Sequence, residues 1–126
     1  PAEYSKRMTS LTALTSSYTS IYMESGARPV FLATHGYKSS KINTTMVGDV
    51  PEFTSRVHYG YQQYAQALGQ NLPTDQTPLI APVGWAFLVL WEEAHGQWEK
   101  LFFTDGFHPS PRGTYLIGCV VYATLY

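Results

Sequence analysis

Two short apolar runs do most to limit what this chain can fold into: "PVFLA" at residues 29–33 and "PLIA" at 78–81. Each is too short for a helix and lacks polar alternation, the pattern of a strand buried in a parallel sheet. The expected strands are Val30–Ala33 and Leu79–Ala81. Around them, apolar residues recur three or four apart. Over residues 3–25, Tyr4, Met8, Leu11, Leu14, Tyr18, Ile21 and Tyr22 make one helical stripe, with Gly26 as its stop. A polar loop follows at 35–50. Pro51 then fits a first helical turn, and Phe53, Val57, Tyr61, Tyr64, Ala65 and Leu68 form a stripe ended by Gly69. "NLPTDQTP" reads as loop. Residues 84–95 read as a third helix, apolar nearly all round and therefore buried, which stops at Gly96. "KLFF" is a short extended piece. Ser110 and Pro111 cap and start a last helix with Tyr115, Leu116, Cys119, Val120 and Ala123 on one face.

The order is α-β-α-β-α-(β)-α, which argues an α/β fold with a parallel sheet and helices on both faces. Two clear strands and one short one do not make such a sheet, because parallel strands need cover on both faces and partners at their edges. Residues 1–126 are therefore expected to be the C-terminal part of one larger α/β domain. The preceding half of that domain, or a partner chain, would complete the sheet.

Charged residues make up 13% of the chain and the net charge is −1. That leaves no field to gather nucleic acid or anionic lipid. No segment reaches the ~18 continuous apolar residues of a membrane span; the longest, "LIAPVGWAFLVLW", is broken by Pro82 and Gly84. "PAEYSKRM" lacks the apolar core of a signal peptide, and the start at Pro1 suggests a processed product or an internal piece. Cys119 is the single cysteine, so no internal disulfide forms, and it reads as a small buried helix residue, with a bond to another chain as the alternative. "NTT" makes Asn43 a glycosylation sequon in a polar loop, which points to a secreted or lumenal glycoprotein.

The chemistry concentrates in "FTDGFHPSPRG", residues 103–113. Asp105 stands three residues before His108 on a tight turn, with Gly106 giving the turn its freedom. From there one carboxylate can accept from the imidazole Nδ1–H and leave Nε2 as an acceptor for a hydroxyl proton. The plainer alternative is an Asp in a turn and a His near a helix start, each structurally satisfied. His35, His58 and His95 show no metal-ligand spacing and there is one cysteine, so no metal or other cofactor is expected. His58 and His95 read as helix-surface residues. His35 ends a strand, where α/β folds bind ligands, but a loop-entry role explains it as well. Ser39 and Ser40 lack the strained strand–turn–helix elbow of a nucleophile. Glu92 and Glu93 are adjacent, so on a helix they do not face one another. Trp85 and Trp91 read as core. Trp98 and Phe107 lie in loops near His108 and suit either packing or a pocket wall.

The block "LFFTDGFHPSPRGTYLIGCVVYATLY" resembles the last conserved block of the SGNH (GDSL-like) hydrolases: Asp-x-x-His, then commonly Pro-Ser, a Gly and an apolar helix. "PVFLATHGY" resembles a strand ending in Thr-(Trp)-Gly in one branch of that family, with His35 in the place of Trp. "YGYQQYAQALG", followed by "IAPVGWAF", resembles its helix and its strand ending Ala-Pro-Val-Gly. Together these stretches span most of residues 29–126. The resemblance implies a three-layer α/β/α sandwich, flavodoxin-like, of which this chain is the C-terminal half. It also implies ester hydrolysis by serine acyl transfer on small acyl or carbohydrate O-acetyl esters. In that scheme His108 is the general base and Asp105 orients it. The nucleophile belongs to a Gly-Asp-Ser-like block, and Gly and Asn blocks with backbone amides form the oxyanion hole. "GDV" at 48–50 lacks the serine and follows no buried strand. The nucleophile is therefore expected upstream or on a partner chain, and this chain alone is expected to be inactive. Two other readings stand beside this one. The first is a non-catalytic glycoprotein module that keeps the fold for binding or assembly. The second is an unrelated α/β binding domain, which would hold Asp105 and His108 apart.

Overall fold

In the computed structural model the structure describes residues 2–38 and 47–126, with the side chains of residues 2–5 left aside. Asn43, Ser39 and Ser40, and the side chain of Tyr4, lie outside the described residues. Two compact units are present: Pro1–Phe31 with Tyr61–Ile80, and Leu32–Gly60 with Ala81–Tyr126.

In the first unit the expected N-terminal helix is broken into three: Ala2–Ala13, a π-helical turn at Leu14–Tyr18, and Thr19–Ser25. The Thr19 hydroxyl donates to Leu14 O five residues back (3.0 Å), which fills the widened turn. A π turn inserts one residue into the period and rotates everything after it. This corrects the stripe: Tyr18 and Ile21 are exposed, and Thr19 is the buried residue. The αL residue Gly26 (φ 68°) ends the helix, as expected. Gln76 is buried beside it, its Nε2–H donating to Tyr22 O (2.8 Å) and Ala27 O (3.2 Å).

The helix Val50–Gly69 begins with a reciprocal pair. Glu52 N–H donates to Asp49 Oδ1 (2.9 Å), and Asp49 N–H donates to Glu52 Oε2 (3.2 Å). This is the capping-box logic, with Pro51 harmless in the first turn. In the first unit Leu68 on this helix is fully buried, and Tyr61 and Tyr64 pack around Phe31.

The strands are β1, Val30–Leu32, and β2, Leu79–Ala81. Pairing advances in the same direction on both, so they run parallel: Leu79 N–H donates to Pro29 O and, further along, Ala33 N–H donates to Ala81 O. Val30 and Leu32 are each 40% exposed, so β1 is not the buried strand its apolar run suggested. "KLFF" forms no third strand. Glu99–Leu101 is a 3₁₀ turn, and Phe102 makes an isolated antiparallel bridge to Pro109.

The core of the second unit is Val50, Val83, Phe87, Leu88, Trp98, Leu101 and Phe102. The helix Val83–Glu93 faces it on one side only. Trp85 and Val89 are exposed, so Trp85 is not core. That helix ends at Glu93, before Gly96, where Ala94 leaves the helical conformation (φ −149°, ψ 59°), and a four-residue helix, His95–Trp98, follows. Trp98 is thus a buried helical residue rather than a loop residue. The last helix, Pro111–Leu125, starts where expected, with Ser110 as its cap. Its packed face is Leu116, Ile117 and Val120. Tyr115 is 76% exposed and Cys119 is exposed, which corrects the stripe and the buried reading of Cys119. Among the described residues no helix is long and apolar enough to cross a membrane.

Candidate functional site

Residues 101–110 fold back on themselves. Ser110 N–H donates to Leu101 O (2.8 Å) and Phe103 N–H to His108 O (2.9 Å), so two short arms bracket a tight loop. Inside it Gly106 N–H donates to Phe103 O (3.0 Å), and Gly106 takes a left-handed φ of 73°, open to glycine at no steric cost. Asp105 is the hub. Its Oδ1 accepts the backbone N–H of Phe107 (2.9 Å) and of His108 (3.0 Å), as an Asp in a turn does. Its Oδ2 lies 2.6 Å from His108 Nδ1. One carboxylate therefore makes the turn and aims the imidazole.

These contacts fix the charge of Asp105. The His108 side-chain hydrogen bond, then the two backbone N–H groups, hold the Asp105 carboxyl down at about 2. At neutral pH Asp105 is an acceptor only, so the proton in the 2.6 Å bond sits on His108 Nδ1. In the neutral ring Nε2 carries the lone pair, and it can take a proton from a hydroxyl brought to it. The His108 side chain is 78% exposed and that of Asp105 42%, so the imidazole opens to solvent. A carboxyl-carbon titration should place the Asp105 midpoint near 2. The sign follows from the depressed value. The stabilisation is complete above roughly pH 4, the ordinary aspartate range, and is lost as pH falls through about 2. A midpoint at the ordinary value would mean the pair is open in solution.

The segment leaving the C-terminal end of β1 lies against this loop. Lys38 N–H donates to Gly106 O (3.1 Å), and Tyr37 meets Phe107 edge-on at 5.0 Å. His35 is buried, stacked on Phe87 at 4.4 Å, with Nε2 3.1 Å from Phe107 O. His35 is therefore more than a loop-entry residue. Nothing in the sequence signals its contact, which closes over 72 positions.

The remaining candidates lie elsewhere. His58 is half-buried and edge-on to Trp85 at 5.5 Å, rather than on the helix surface, and desolvation lowers its pKa. His95 is exposed, with Nδ1 3.3 Å from Trp91 O, and Glu92 and Glu93 are solvated. Trp91 is half-buried against the core and Phe107 is half-buried in the loop. Among the described residues no three His, Cys, Asp or Glu side chains stand close enough to hold a metal ion. An open hollow of about 340 Å³ runs along Tyr115, Gly118, Cys119 and Tyr122, and does not involve the pair.

No family model matches the chain, and neither a curated protein nor a solved structure matches it.

Proposed function

We propose that this chain supplies the acid–histidine half of an SGNH-type serine ester hydrolase. The observation that carries the reading is the 2.6 Å bond from His108 Nδ1 to Asp105 Oδ2, on a tight turn before a helix, with Nε2 left free. His108 acts as general base toward a serine hydroxyl and then as general acid toward the leaving alkoxide. Asp105 fixes the tautomer and stabilises the imidazolium formed between those steps. The serine and the oxyanion-hole amides come from the preceding half of a three-layer α/β/α domain or from a partner chain. That missing part also walls the cleft at His108. Substrates are small acyl esters or carbohydrate O-acetyl esters, no cofactor takes part, and the protein is a secreted or lumenal glycoprotein carrying its glycan at Asn43. The test is hydrolysis of a simple acyl ester by the native protein, against none by residues 1–126 alone. Turnover by the isolated chain, or none by the native protein, contradicts the proposal.

A second reading is favoured by the exposed aromatic side chains of the last helix and its C-cap, Tyr115, Tyr122 and Tyr126. On this reading the chain is a non-catalytic module that keeps the fold for binding or assembly. It requires the native protein to be inactive on esters.

Both readings leave apolar surface to be covered, since Val30 and Leu32 on the short strand are exposed along with those tyrosines. Patches of this kind drive association. Sedimentation of the isolated 126-residue chain should show oligomers or aggregates. A monomer with one cooperative unfolding transition would count against a missing partner.

A further inference from the structure

We propose that His35 is a positioning residue for the Asp105–His108 pair, holding its loop in register by donating Nε2–H to Phe107 O. Phe107 is the residue between the turn glycine and His108, so its carbonyl fixes the peptide that leads into the imidazole-bearing residue. The contact is 3.1 Å long, and the side chain making it is buried, with little freedom to rotate: its ring stacks on Phe87 at 4.4 Å with 12° between planes, and Phe102 closes the edge at 5.4 Å. Lys38 N–H on Gly106 O is a second strut, from the same segment to the adjacent peptide. A carbonyl can only accept, so Nε2 must carry the proton. The other ring nitrogen, Nδ1, is buried without a hydrogen-bond partner among the described residues. An apolar aromatic would fill the same slot without leaving a polar atom unpaired there. A histidine in it costs the desolvation of Nδ1, and the Phe107 contact is what it returns. Burial lowers its pKa, against a smaller opposing pull from the Phe107 carbonyl, which keeps the ring neutral near pH 7.

The functional meaning of this positioning rests on the hydrolase reading, but the test does not use activity, so the two can fail separately. The probe is the titration of the Asp105 carboxyl in the native protein, whose midpoint of about 2 reports the closed pair. His35→Phe keeps an aromatic ring on Phe87 and removes the donor; His35→Gln keeps an N–H near the Nε2 position. The midpoint should rise toward the ordinary aspartate value of ~3.9 in His35→Phe and return toward about 2 in His35→Gln. A merely structural, space-filling role would give the reverse order, with Phe nearer to wild type than Gln. Either that order or an unchanged midpoint in a folded His35→Phe overturns the proposal. Should His35→Phe not fold, the unmutated protein decides through its ring-nitrogen chemical shifts. His35 should be the Nε2–H tautomer with a bare Nδ1, and the opposite tautomer overturns the assignment.

Discussion

His108→Ala should abolish ester hydrolysis by the native protein, with kcat falling roughly 10⁵-fold or more, as when the base of a serine hydrolase is removed. The size follows from the geometry. His108 Nε2 is the ring nitrogen the Asp105 turn leaves to take a proton, and Asp105 itself accepts three hydrogen bonds, from the Phe107 and His108 amides and from Nδ1. With its carboxyl held at about 2, Asp105 is too weak a base to take over the proton. Asp105→Asn should cost less, roughly 10⁴-fold in kcat, with KM little changed. An amide in that place can still hold part of the turn, but it offers Nδ1 an N–H as readily as an oxygen, so the wrong tautomer becomes populated. Initial rates on a simple acyl ester check both variants. Full activity in His108→Ala would end the hydrolase reading.

Gly113→Ala should be the most damaging small substitution in the second unit. Gly113 is buried in the first turn of the last helix, where a Cβ would overlap Leu101 O and crowd Pro109 Cβ at 3.0 Å. Leu101 O is no free side-chain end; it accepts Ser110 N–H, and the Ser110 hydroxyl in turn donates to Lys100 O (2.6 Å). Relieving the overlap means lifting the helix start off the 3₁₀ turn and straining the arms that carry Asp105 and His108. Overpacking costs about 1–3 kcal/mol, and a rigid backbone oxygen puts this site at the upper end, so we expect a loss of roughly 3 kcal/mol in chemical denaturation. A change below about 0.5 kcal/mol, the range of ordinary surface substitutions, would show that the helix start is not packed as described. Gly118→Ala is the control, because a Cβ there meets nothing within 4 Å.

Much of the local structure was legible because it depends on near neighbours. Ser110 and Pro111 marked a helix start through a cap and a fixed φ, and Asp105 and His108 were close enough in sequence for one turn to join them. Asp49-x-x-Glu52 is an equally local capping signal, missed where residues 35–50 read as polar loop. The stripes of the first and last helices were misread for a different reason. Periodicity identifies apolar positions, not which of them have neighbours, so Tyr115 and Cys119 were grouped with Leu116 and Val120 although only the latter two face the core. In the first helix one extra residue in a π turn shifted the face, and Thr19 rather than Tyr18 turned inward. The role of His35 was beyond any local rule, because its partner is a backbone carbonyl that carries no sequence identity. The short apolar run at Val30 looked buried because its composition is that of a covered strand, yet alternate residues of β1 remain open.

The most direct measurement is covalent: treat the native protein with a fluorophosphonate, which reacts only with an activated serine, and map the labelled peptide by mass spectrometry. One serine outside residues 1–126 should be labelled, and the label should disappear in His108→Ala while the protein stays folded. No labelled serine in the native protein, or labelling that survives loss of His108, would contradict the proposal that Asp105 and His108 serve a nucleophile.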